Sequence, residues 1–312
     1  MQSVRVHPWY TSCMSAVDYK EIVLDDETWS FVSFQAAAAA MLGGALIAIC
    51  TGTSVAFTVH PGLSNTIAYS SALSAAICGI AYINYSSMSE TRLRTIKECR
   101  GLQKQLDGLA SEHACRKAKQ VDNFVITTLR YSDWLATFPL LALKLFHLAC
   151  DGPHLLTNEY LTSPLIHAAI AALALAMVAF GFLSLLAFGD FDNVMLDCHC
   201  KGGFKTWATN WQTWVRVVLL LMGCGCLAMI YLILFTASNE TQSSHWREVY
   251  GFGLFWITYP VAFTLQICSG CFPKLWNSHR KDILFSLLDV ISKPLLSVYI
   301  AHAALNIAPA TE

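Results

Sequence analysis

Apolar residues fall in seven long blocks along this chain, separated mostly by short polar links. The blocks run roughly over 30–53, 64–88, 123–149, 164–189, 210–236, 247–272 and 282–305. Each reaches the ~20 residues that a helix needs to cross the hydrocarbon core of a bilayer. Inside that core every backbone N–H and C=O needs a partner within the protein, so helices are the expected form. From Phe31 to Ser89 there is no Asp, Glu, Lys or Arg, and the first two blocks lie in this stretch around a link at His60-Pro61-Gly62. The pattern predicts an all-α fold: a seven-transmembrane-helix bundle over 30–305, with an extramembrane segment 1–29 before it and a short tail, 306–312, after it. Residues 90–122 break the pattern. They are rich in Arg, Lys and Glu, and the spacing of Leu102, Leu106 and Leu109 predicts a short amphipathic helix outside the bilayer, between spans two and three.

Composition supports lipid as the main solvent. Of the 312 residues, 55% are hydrophobic and 13% charged, against about 25% charged in a soluble domain. The expectation is a multi-pass integral membrane protein in contact with the lipid bilayer. A net charge of −1 supplies no global field for steering onto nucleic acid. Asp25, Asp26 and Glu27 precede the first block and no earlier apolar core exists, so that block reads as a membrane helix rather than a secretory leader. Of the 12 cysteines, Cys50, Cys78, Cys224 and Cys226 sit in apolar blocks, where a free thiol behaves as a small hydrophobe. Cys198-His199-Cys200 and Cys268-x-x-Cys271 look metal-like, but neither has a second ligand pair at finger spacing, so no metal is expected.

Ionisable residues inside membrane helices are costly and are functional candidates by default. Span three carries Arg130, Asp133 and Lys144, span five Arg216, and span seven Asp289 and Lys293. Asp289 and Lys293 are four apart and share a helix face; Arg130, Asp133 and Thr137, at i, i+3 and i+7, share another. The simplest neutral arrangement sets Lys293, as a cation, against Asp133 and Asp289, with Arg130 offsetting the surplus negative charge. Charge pattern alone fits a structural ion-pair network as well as a chemical site.

The local sequences favour chemistry. The run Arg130-Tyr131-Ser132-Asp133-Trp134-Leu135-Ala136-Thr137-Phe138-Pro139-Leu140-Leu141 closely resembles the third-helix signature of microbial (type 1) rhodopsins. Leu288-Asp289-Val290-Ile291-Ser292-Lys293 resembles their seventh-helix motif, Trp256-Ile257-Thr258-Tyr259-Pro260 their sixth, and Ala81-Tyr82-Ile83-Asn84-Tyr85 the end of helix two in the proteorhodopsin-like branch. The motifs come in the family's order. The resemblance implies a non-enzymatic, light-driven protein with all-trans retinal in the core of the bundle, bound covalently as a Schiff base on Lys293. It makes Asp133 the primary counterion and proton acceptor, and Asp289 the second counterion. Thr137 is expected to hydrogen-bond the Asp133 carboxylate, and Arg130 to stabilise both carboxylates as anions. Trp134, Trp256, Tyr259 and Phe263 are expected to wall the polyene, with Tyr85 and Tyr259 donating to Asp289. Leu141 occupies a colour-tuning position where leucine goes with green absorption. A lysine attacks an aldehyde only when unprotonated, a form that burial favours.

The chain also departs from the family. Lys144 replaces the usual donor carboxylate; it reads either as a proton donor or as a lysine snorkelling to the interface. Asn84 stands near where a histidine often pairs with the counterion. Pro294 directly follows Lys293 and is expected to kink span seven. Lys281 and Asp282 stand where the family has a glutamate release group. Family topology puts the N-terminus outside, yet nearly all loop Lys and Arg then fall outside too, and the positive-inside rule argues for inversion. Asn239-Glu240-Thr241 is a glycosylation sequon on the loop that inversion would expose. The leading reading is a proton pump, since Asp133 with Thr137 is the acceptor pattern of pumps. A light-gated channel, with Ser71, Ser74, Asn84, Ser86 and Ser87 along its path, and a sensor with a separate transducer are the alternatives. Homo-oligomers, trimers or pentamers, are implied by the family alone.

Overall fold

The computed structural model describes residues 16–58, 61–106, 108–150, 163–186, 211–241, 246–267, 278–296 and 298–299. Among these residues every regular element is helical. The helices are α1 (Ala16–Thr58), α2 (Pro61–Gln105), α3 (Gly108–Ala149), α4 (Pro164–Leu186), α5 (Trp211–Thr241), α6 (Trp246–Trp256), α7 (Thr258–Ile267) and α8 (Ser278–Val290). They make seven spans, with α6 and α7 as two pieces of span six and α8 running into a π-helical turn, Ile291–Leu295, in span seven. The metal-like Cys198-His199-Cys200 and Cys268-x-x-Cys271 lie outside the described residues.

The packing inverts that of a soluble protein. Leu46, Leu165, Leu221, Leu232, Leu254 and Leu287 are exposed, whereas Arg92, Asp122, Arg130, Asp133, Lys144, Asp282, Asp289 and Lys293 are buried. Lipid-facing leucine gains nothing from burial in protein, while a charge in hydrocarbon needs an internal partner. Helix α1 packs on α2 and α8, α3 packs on α2, α4 and α5, and α4 packs on α5. One apolar core joins spans three to seven around Trp134, Phe138, Leu145 and Trp256. A smaller one joins spans one to three around Phe34, Met41, Tyr85 and Ile126.

Two breaks in helical pairing position the site. Pro260 has no N–H to give Trp256, and span six is interrupted at Ile257, where Thr258 Oγ1 takes the Phe255 carbonyl at 2.5 Å. Pro294, where a kink was expected, lies in a wider π turn, and an extra residue in the turn accommodates the missing donor. Segment 90–122 also differs from expectation. It is not a short separate helix: α2 continues to Gln105 and α3 begins at Gly108, so the two spans extend together as an antiparallel hairpin. Gly108 closes it with φ of 50°, a conformation that side chains with a Cβ rarely adopt. A disulfide between Cys99 and Cys115 clips the two arms, a pairing that the sequence reading did not anticipate.

Candidate functional site

Lys293 sits in the π turn, buried, and its position there aims the side chain at span three. Its Nζ forms an ion pair and hydrogen bond with Asp133 Oδ2, and lies 3.4 Å from Asp289 Oδ2. The structure thus brings together the three charges that helix-face spacing pointed to.

The two carboxylates are treated differently. Asp289 is held by three donors: Tyr85 Oη at 2.7 Å, Tyr259 Oη at 2.6 Å, and Trp134 Nε1 at 3.1 Å to both oxygens. The tyrosine bonds were expected; the indole bond was not, since Trp134 had been assigned only to the wall. Asp133 Oδ1, by contrast, is buried and has no hydrogen-bond partner among the described residues. Thr137 does not bond that carboxylate. Its Oγ1 donates at 2.8 Å to the Asp133 backbone carbonyl, one helical turn back, as a buried threonine commonly does.

Arg130, expected to stabilise both carboxylates as anions, makes its direct ion pair with neither of them. Its Nη1 pairs with Asp282 Oδ1 at 3.0 Å, and the guanidinium lies over Phe285 and Phe34. Asp282 Oδ2 further accepts from Arg92 Nη2 at 2.9 Å and Ser30 Oγ at 3.0 Å. Sequence reasoning missed Arg92 because it sits in a run of charges that looks solvated.

Toward the opposite end of span three, Lys144 is fully buried and donates to Ser74 Oγ on α2. Snorkelling is thereby excluded for this lysine. It is eleven residues from Asp133, about 16 Å along the helix.

A cavity lined mostly by apolar and aromatic side chains lies beside the charges. Its walls include Tyr131, Trp134, Phe138, Met177, Trp256 and Tyr259. Trp134 meets Tyr259 edge-on at 5.5 Å, and Phe138 stands 5.4 Å from Trp256. Two of these walls, Trp134 and Tyr259, also donate to Asp289, which pairs with Lys293, so the cavity and the buried amine share the residues between them. Leu141 is buried in the adjoining core but is not among the cavity's lining residues, and the side chain of Phe263 lies outside those described. An aromatic cavity set beside an amine that faces two carboxylates fits an apolar aldehyde-derived ligand.

Fold and site together define a seven-helix membrane protein with a buried, doubly countered lysine. The family model for bacteriorhodopsin-like proteins matches residues 32–307, and the chain belongs to that family. It is therefore an integral membrane protein of a retinal-binding, light-driven class that is not enzymatic in general. Its fold is similar to that of Exiguobacterium sibiricum rhodopsin, at 18% identity over 91% of this chain and 98% of that one, with a TM-score of 0.56. It is similar to xanthorhodopsin, described as a light-driven ion pump with dual chromophore, at 17% identity, 91% and 95% coverage and a TM-score of 0.57. Thermophilic rhodopsin matches at 16% identity, 91% and 95% coverage and a TM-score of 0.60. No curated protein matches the chain in sequence.

The neighbour of the π turn gives a first prediction. A Cβ at Gly44 of α1 would stand 2.7 Å from Pro294 Cβ and 3.1 Å from Cys78 Sγ. Gly44→Ala must therefore push on the residue next to Lys293. Overpacking of this kind costs about 1–3 kcal/mol. The expected result is faster thermal bleaching of the pigment with a displaced absorption maximum. Unchanged bleaching and colour would show that the notch yields freely.

Proposed function

We propose that the chain is a light-driven proton pump whose all-trans retinal is bound covalently through Lys293 Nζ. Bound retinal supplies light absorption and the change of shape that follows; the residues supply orientation and proton sites. The observation that carries the reading is the asymmetry of the counterions. Asp289 already has its oxygens taken by Tyr85, Trp134 and Tyr259 and acts as a fixed anion. Asp133 touches Lys293 Nζ and has capacity left at Oδ1, so it is the group that receives the proton from that nitrogen. Trp134, Trp256 and Tyr259 confine the ligand and keep water from the ion pair. Arg130, drawn to Asp282, lies on the release side of Asp133. Lys144, buried on the other side against Ser74, supplies the returning proton. A buried lysine along the path disfavours cation flow, which favours a pump over a cation channel.

We further propose the family orientation, with the N-terminus and the α2–α3 hairpin outside the cytosol. The Cys99–Cys115 disulfide supports it, because such bonds persist in oxidising compartments and rarely in the cytosol. The basic residues that argue for inversion lie largely in this hairpin, and one of them, Arg92, is consumed in buried ion pairs. Protons then move from the Lys144 end, in the cytosol, to the Asp282 end.

Photocurrent against voltage in an expressing cell tests both points. A pump current keeps its outward sign across ordinary voltages; one that reverses near an ion's equilibrium potential identifies a channel, and a steady inward current an inverted molecule. In the same cells Lys144→Ala should slow reprotonation about a hundredfold, the usual scale of a lost general acid. A photocycle of wild-type speed would remove Lys144 from the path.

A further inference from the structure

The extended arms of α2 and α3 carry two cross-links on one seam. Arg92 Nη1 stands 2.5 Å from Asp122 Oδ2, with both side chains buried. Farther out, Cys99 and Cys115 are joined. Cys99 follows Arg92 by seven residues and Cys115 precedes Asp122 by seven, so both pairs straddle position 107 symmetrically. Seven residues make about two turns, roughly 10 Å of helix. The disulfide thus fixes the antiparallel register that sets Arg92 opposite Asp122.

The inner end of the seam enters the release-side network. Arg92 is shared between Asp122 and Asp282, and Asp282 is shared between Arg92 and Arg130. Asn123 Oδ1 accepts from Arg92 at 3.3 Å, and Ser30 Oγ adds a bond to Asp282. Two groups that share one partner compete for it, so loosening one link leaves the partner freer for the other, and low dielectric enlarges the effect.

We propose that Arg92 and Asp122, held in register by the Cys99–Cys115 disulfide, are positioning residues that set, through Asp282, how far Arg130 is drawn from the Lys293 counterions. This rests on the reading of Lys293 as the retinal site. The titratable and charged groups around Arg130 and Asp282 are Tyr85 and Arg92 on α2, Asp122 and Asp133 on α3, Tyr259 on α7, and Lys281, Asp289 and Lys293 in span seven, while α1 contributes Ser30. Without Arg92, Asp282 holds Arg130 alone and pulls it from Asp133. Without the charge of Asp122, Arg92 turns fully to Asp282, and Arg130 is released toward Asp133. Opening the disulfide loosens Arg92 from Asp122 and acts in the same direction as loss of Asp122, with no change of charge.

The test is an acid titration of visible absorption in the full-length pigment regenerated with all-trans retinal, following the colour change as the counterion takes a proton. Arg92→Gln should move the midpoint up and Asp122→Asn down, each by about half a pH unit or more, the scale of a rearranged ion pair. Cys99→Ser with Cys115→Ser, or dithiothreitol added to the folded pigment, should move it down by less, and Arg92→Lys should stay near the parent. A bare field effect would reproduce the first two shifts but not the one from the disulfide. A coloured parent whose midpoint ignores the opened disulfide, with only thermal bleaching altered, overturns this inference alone. A parent that stays colourless overturns the retinal reading and this inference with it.

Discussion

Lys293→Ala is expected to stay colourless when all-trans retinal is added, while the parent turns visibly coloured. The effect is all-or-none because one atom is at stake. Among the buried cations near the cavity, Lys293 Nζ is the amine tied to cavity walls through Asp289, whereas Lys144 is engaged with Ser74 well along span three. The substitution also strips the cation from two buried carboxylates. Removing one partner of a buried pair costs about 3–5 kcal/mol, so loss of colour alone does not separate a missing attachment point from a damaged fold. Combining Lys293→Ala with Asp133→Asn removes one of the two stranded charges and returns the site to its parental net charge, leaving Asp289 to its three hydrogen-bond donors. This double variant should be helical by circular dichroism, monodisperse in detergent and still colourless. Visible absorption surviving in either variant would remove the assignment of the attachment site.

The fold was legible in the sequence because bilayer thickness imposes a length on every apolar block. Yet the stretches that satisfy a strict criterion of length and apolarity among the described residues are only Thr28–Thr53, Pro164–Ser184 and Trp214–Thr241. Spans two and three carry inward-facing polar residues, Ser74, Asp133 and Lys144 among them, while span six is broken at Ile257 and the α-helix of span seven has 13 residues before its π turn. The polar residues that weaken the membrane signal are those that announce the site. Spacing of i and i+4 put Asp289 and Lys293 on one face, and charge balance set Asp133 of another span against them, as the ion pairs now do.

What escaped was the pairing at the Asp282 end of the bundle and in the α2–α3 hairpin. Arg130 shares a face with Asp133 and was expected to offset its charge; its direct ion pair with Asp282, 152 residues away, was not foreseen. Thr137 was near the carboxylate of Asp133 by spacing, but the helix offers it a closer acceptor in its own backbone. Arg92, Cys99, Cys115 and Asp122 lay in a charged stretch whose composition signals exposure. Their signal was the symmetry of the two pairs about position 107, which only becomes meaningful once the segment is known to be a hairpin.

Asp133→Asn should abolish light-driven transport while leaving a pigment, now absorbing at longer wavelength. Asp133 is the carboxylate that directly contacts Lys293 Nζ, and Asp289 stands at 3.4 Å with its oxygens already engaged by Tyr85, Trp134 and Tyr259. Asparagine keeps the shape but neither the charge nor the capacity to bind a proton. Light redistributes positive charge away from the nitrogen, so a nearby anion lowers the ground state more than the excited one; without it the gap narrows and absorption moves to the red. The buried cation is also less well balanced, and colour should be lost by deprotonation at lower pH than in the parent. Asp289→Asn makes the contrast. It removes an anion that is held by three donors rather than the acceptor itself, so it should shift colour yet retain proton transfer from the Lys293 nitrogen to Asp133. Flash spectroscopy with a pH-indicating dye reads both. If Asp133→Asn still released protons at parental yield and Asp289→Asn did not, the roles of the two carboxylates would have to be exchanged.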